Sequence, residues 1–138
     1  MRYKTNHIKT SVVFSLFFML FNCSSSDRND PTNVIPTATL SVNNQSLSFG
    51  EVTETNHSDS QVIVISGTNL TDNIVISTTA NFEVSLDNTS FSSEQSASAA
   101  ESIEVFVRFS PQSGAIGEKS GTLTIESLEA ENLSVSLS

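Results

Sequence analysis

The sequence predicts an all-β fold, an antiparallel β-sandwich of about seven strands. Three observations predict it. Short apolar stretches of period two recur from residue 38 onward, and clusters of Ser, Thr, Asn, Asp and Gly separate them. No stretch there sustains the i, i+3, i+4, i+7 apolar stripe of an amphipathic helix.

The elements follow in order. Leu40 and Val42 alternate with polar neighbours, as do Leu47 and Phe49 before Gly50. A polar loop around residues 53–60 precedes the run Val62, Ile63, Val64 and Ile65, which Ser66 and Gly67 close. Ile74, Val75 and Ile76 come next, then Phe82, Val84 and Leu86 on alternate positions, ended by the turn pair Asp87 and Asn88. Residues 93–101 have some helix propensity but no large apolar face, so a turn or loop is expected there. Ile103, Val105, Val107 and Phe109 form the longest alternating set. Pro111 stops it, because proline cannot donate to a ladder. Gly114, Gly117 and Gly121 mark a wide loop that needs positive φ or a bulge. Leu123 and Ile125 follow, and Leu133, Val135 and Leu137 alternate with serines to the end. Such strand spacing with turn signals reads as an antiparallel sandwich. A sandwich open at its last strand could take a further strand at that edge.

IEVFVRFSP (103–111), the glycine-containing loop, SGTLTIES (120–127) and VSLS (135–138) together resemble hydin-type or ASH-type immunoglobulin-like modules. QVIVISGTNLTDNIVISTTANFEVSLDNTSF (61–91) is similar to the preceding half of bacterial versions. These modules are like major sperm protein in architecture. The resemblance implies a seven-stranded sandwich over residues 38–138 with a binding or spacing role, and no catalytic residues.

The first 22 residues differ from the rest. Arg2, Lys4 and Lys9 give a positive start, and residues 11–21 are apolar apart from two serines. That run is far shorter than the roughly 20 residues a spanning helix needs. It reads as an export signal, residues 1–22. Cys23, the chain's single cysteine, follows directly. One thiol cannot build an internal disulfide. Leu20-Phe21-Asn22-Cys23 resembles a bacterial lipobox, with Phe21 and Asn22 in places where small residues are usual. Lipidation of Cys23 is therefore expected, and each buried methylene of the acyl chains contributes about 0.8 kcal/mol. Residues 23–37 read as the lipidated cysteine and a disordered tether. Its Ser-Asp character is similar to the export tag of surface-displayed lipoproteins of some Gram-negative bacteria. The expected place is the outer membrane or cell surface.

Three basic residues leave with the signal, and Arg28, Arg108 and Lys119 remain against 15 acidic ones. That balance repels phosphate backbones and sets nucleic-acid partners aside. His57, Ser58 and Asp59 are neighbours on one loop, where a catalytic assembly needs groups converging from separate elements. The one histidine left after signal removal and the one cysteine cannot make a zinc site, and no loop carries a calcium-type series. Glu101 and Glu104 are near in sequence, but nothing predicts a cleft between carboxyls. No Trp or Tyr remains after the signal to stack on sugar rings. No enzyme, cofactor or metal is expected. Phe106 shares its outward phase with Glu104 and Arg108. It is either an interface anchor beside Arg108 or a side chain covered by a neighbouring element. The expected role is a lipid-anchored, non-catalytic module that adheres, spaces or docks a protein or glycan partner. The alternatives are a glycan-binding module or one unit of a longer multi-domain secreted protein.

Overall fold

Alternate residues of a strand face opposite sides of its sheet, so an apolar residue at every second position needs a second layer to lie against. In the computed structural model, which describes residues 34–138, two packed sheets supply that layer. The export signal, Cys23 and the tether up to residue 33 lie outside the described residues. Val34–Ser138 is a compact unit.

The strands are β1 (Thr39–Val42), β2 (Ser46–Leu47), β3 (Gln61–Thr68), β4 (Ile74–Thr78), β5 (Phe82–Ser85), β6 (Glu94–Ala97), β7 (Ser102–Phe109), β8 (Gly121–Glu126) and β9 (Leu133–Leu137). One sheet runs β1-β3-β7-β5, the other β2-β9-β8-β4-β6. The β-sandwich expected from the alternation, with the immunoglobulin-like class that the resemblance implies, is what the chain forms. Among the described residues it reaches nine strands, because β2 and β6 join those with strong apolar patterns.

The core sits between the sheets. On one side Ile63 lies opposite Val105, and Val84 opposite Val107. On the other, Ile76 lies opposite Ile125, and Leu123 opposite Val135. All eight are fully buried. Phe82 closes one end of this core, with the rings of Phe49 and Phe109 at centroid distances of 5.8 and 5.2 Å. Gly121 is pressed against that cluster, where a Cβ would come within 2.7 Å of the Phe82 ring. Gly114 and Gly117 do take positive φ, but Gly121 is needed for close approach instead.

Two expectations are corrected. Residues 93–101 are not all loop, since Glu94–Ala97 pair with β4 as β6. The register explains why the pattern hid it: β6 is an edge strand of small and polar residues that puts only Gln95 and Ala97 partly inside. The last strand is also not an open edge. β9 lies between β8 and β2, and β2 pairs with it in parallel through Ser136 and Leu137. The Phe49 N–H donates to the Ser138 carbonyl at 2.8 Å and carries that cover to the end of the chain.

Truncating a side chain at the centre of this core should cost far more than truncating one on a loop. Ile76→Ala is expected to lower unfolding free energy by about 2–5 kcal/mol. Ile116→Ala, on the exposed β7–β8 loop, should change it by less than about 0.5 kcal/mol. Denaturant unfolding of both variants checks the difference, and equal losses would contradict the packing described.

Candidate interaction surface

The outer face of the β1-β3-β7-β5 sheet carries both candidate residues. Val105 and Val107 point inward, so Glu104, Phe106 and Arg108 point out. Phe106 lies opposite Val62 of β3 on one side and Ser85 of β5 on the other. Flanked on both sides, it is half-buried, whereas Val62 is 41% exposed. Arg108 lies directly opposite Glu83, and its Nε and Nη2 donate to Glu83 Oε2 at 2.9 and 2.6 Å. The Phe91 ring stacks on the guanidinium, 3.9 Å from Cζ to centroid. Arg108 is thus tied down on two sides, with Nη1 the nitrogen left over. Sequence spacing could place Phe106 and Arg108 on one face. It could not find Glu83 or Phe91, which reach them only through strand pairing and the return of the β5–β6 loop.

That loop is held by Asp87. Its Oδ1 accepts from Ser85 Oγ at 2.8 Å, from the Thr89 N–H at 2.8 Å and from the Ser90 N–H at 2.7 Å. Its Oδ2 accepts from Ser90 Oγ at 3.0 Å. Hydrogen bonds from the Ser90 backbone, then from Ser85 and Thr89, hold the Asp87 carboxyl well below the usual aspartate range. Asn88 takes a left-handed φ of 57° in this turn, as a short polar side chain tolerates. Ser60 Oγ donates to Asn88 Oδ1 at 2.8 Å, linking the start of β3 to the loop across the outer face of β7.

His57 is exposed on its loop, and the structure does not gather Ser58 and Asp59 around it as a catalytic group. Ser58 instead pins the end of β7: its N–H donates to the Phe109 carbonyl and its Oγ accepts from the Phe109 N–H, both at 2.9 Å. Among the described residues, no group of three or more His, Cys, Asp or Glu side chains is placed to hold a metal ion. Glu104 stands on the outer face of β7, whereas Glu101 lines a separate hollow of about 450 Å³ with Gly67, Asn69 and Leu70, which Glu104 does not line. A hollow of about 320 Å³ opens beside Glu83, lined also by Asn81, Ser93, Ser110 and Gln112.

No protein-family model matches the chain, and no curated protein matches it. Among solved structures it is similar to the ASH / PapD-like domain of human CEP192, PapD-like domain 7. That likeness has 13% identity, covers 96% of this chain and 94% of the other, and has a TM-score of 0.40. A likeness that distant assigns no residue and no ligand.

Two outcomes are expected. The Arg108–Glu83 pair is partly exposed, so a double-mutant cycle with alanine at both positions should give about 0.2–1 kcal/mol of coupling, reduced by high salt. A cycle that shows no coupling at low salt would contradict the pairing. The depressed Asp87 carboxyl adds stability that is fully present above the range where an unfolded aspartate titrates, about 3.9, and is lost as pH falls through and below it. Asp87→Asn should therefore melt below the wild type at pH 7, with the gap narrowing progressively as pH falls from about 4 toward 2. A gap that stays constant over that window would contradict the assignment.

Proposed function

We propose that this chain is a lipid-anchored cell-envelope protein whose β-sandwich docks a partner without catalysing a reaction. The observation that carries the proposal is the order of parts. A positively charged start, a short apolar run and Cys23 are followed by a polar tether and then a compact β-sandwich. Two or three acyl chains on Cys23 would hold the chain at the outer membrane or cell surface, and the tether would let the sandwich stand clear of it.

Several polar groups of the sandwich are engaged in building it. Ser58 anchors β7, Ser85 and Ser90 hold Asp87, and Glu83 holds Arg108. What the outer face leaves for a partner is Val62, Glu104, the accessible part of Phe106 and the free side of Arg108. An aromatic residue, an arginine and an aliphatic neighbour on a flat sheet suit a protein partner. A glycan is the second reading, favoured by the polar hollow at Asn81, Glu83 and Gln112.

The test is made on intact cells of the natural host. The wild-type chain is expected in the membrane fraction and open to an externally added protease. Cys23→Ala is expected to be released in soluble form. Retention of Cys23→Ala on the membrane at the wild-type level would overturn the anchor. Val62→Asp should reduce cross-linking of the surface-displayed chain to its neighbours, whereas Leu128→Asp, on the exposed β8–β9 turn, should not. Equal cross-linking by both variants would remove the outer face from the docking role.

A further inference from the structure

An open sheet ends in strands whose outer backbone groups face no neighbour, and every buried or solvent-facing N–H and C=O there has to be satisfied somehow. The two sheets have four such edges: β1 and β5 in one, β2 and β6 in the other. Successive residues of a strand aim their backbone groups to opposite edges, so the outward residues of each edge strand follow from its inner pairings.

The β5 edge is closed, and β6 and β2 each have one outward backbone group taken by a side chain. On β5, Phe82 and Val84 face outward. The Val84 N–H and carbonyl exchange bonds with Ser92 at 2.8 and 3.0 Å, the Phe82 N–H donates to the Thr79 carbonyl at 3.3 Å, and the Phe82 carbonyl accepts from Thr78 Oγ1 at 2.8 Å. On β6, Glu94 and Ser96 face outward; Ser92 Oγ occupies the Glu94 carbonyl, and the Glu94 side chain adds a charge. On β2, only Ser46 and Ser48 face outward, and Gln61 Nε2 takes the Ser48 carbonyl.

β1 differs. The Asn43 N–H donates to the Val64 carbonyl at 3.2 Å, which fixes Thr39, Ser41 and Asn43 toward β3 and leaves Leu40 and Val42 outward. Among the described residues, no backbone or side-chain group bonds the outward N–H and C=O of Leu40 or Val42. The usual guards are missing as well. Residues 37–50 contain no charged residue and no proline, so nothing on this edge repels or blocks an incoming strand. The side chains of Leu40 and Val42 pack on the core and are only partly covered.

We propose that the β1 edge accepts an extended, cationic segment of a partner protein, which pairs with Leu40 and Val42 and lengthens the β1-β3-β7-β5 sheet. Charge selects that occupant. The described residues carry 13 acidic side chains against Arg108 and Lys119, a balance that repels a second copy of the chain and attracts basic residues flanking an uncharged strand. The pairing supplies main-chain affinity, and alternate apolar residues of the added strand extend the layer that Leu40 and Val42 begin. This rests on the docking role proposed above and moves it to a second surface.

The probe is a labelled, end-blocked peptide of about nine residues, alternating Val and Thr between terminal lysines. It is titrated onto the full chain in mild detergent by fluorescence anisotropy. Binding to the wild type is expected, and replacement of the lysines by glutamates should abolish it. Leu40→Pro and Val42→Pro each remove one outward N–H while sparing the bonds to β3, so each should weaken binding on the order of tenfold. Methylating the peptide's alternate backbone nitrogens should have a similar effect with the protein untouched. Val62→Asp should leave peptide binding unchanged, because it lies on the sheet face and not on this edge. Equal binding by the proline variants, by the methylated peptide or by the glutamate peptide would overturn the proposal. So would concentration-dependent dimers that Leu40→Pro dissolves, since the occupant would then be a second copy. If the edge fails while surface cross-linking still responds to Val62→Asp, the docking role stands without this site.

Discussion

Two sheets that do not close on themselves must dispose of the backbone groups along their edges, and the connections of this domain are arranged around that constraint. The chain leaves β5, returns at Ser92 to bond Val84, and only then crosses to the opposite sheet as β6. The segment after β1 crosses the other way and lies along β9, so that the final strand becomes an interior one. Both crossings connect the sheets and also satisfy an edge. The apolar core depends on this at Val84, which lies on the β5 edge and is fully buried, so that its peptide groups must be paired.

The same economy governs the polar side chains. Asp87, Arg108 and Ser58, which the sequence offers as candidates for chemistry, are parts of the scaffold. Asp87 accepts four hydrogen bonds from its own loop, and that loop in turn brings Phe91 onto Arg108. Ser58, next to the exposed His57, is committed to the end of β7. A carboxylate or hydroxyl already engaged in this way stiffens a loop and is poorly placed to attack a substrate. The surfaces left for recognition are accordingly the flat outer face around Val62 and the backbone of β1.

The inner-face strands were legible in the sequence because period-two alternation is the direct imprint of one-sided burial. Val84, Val105, Val107, Leu123, Ile125, Val135 and Leu137 stood at alternate apolar positions and are buried, whereas the continuous runs 62–65 and 74–76 left open which of their residues face inward. What escaped were features set by neighbours distant in the chain. β6 carries no apolar imprint, since it gains its place by bonding β4 and by lying at an edge. The cover over the last strand comes from Gln45–Phe49 contacts more than eighty residues away in sequence, which no local pattern encodes. Phe106 and Arg108 were placed on the correct face by phase alone, but Glu83, Phe91 and the Ser60–Asn88 link became visible only once strand order was known. The signal and Cys23 rest on sequence by themselves, because they fall outside the described residues.

The central claim is that hydrogen bonding at the sheet edges is complete along β5 and open along β1, and residue-resolved amide hydrogen exchange measures this most directly. The account predicts slow exchange at Val84 together with Ser41 and Asn43, and fast exchange at Leu40 and Val42, an alternation along a single short strand. Equal protection of Leu40 and Ser41, or a Val84 amide that exchanges as freely as Leu40, would contradict it.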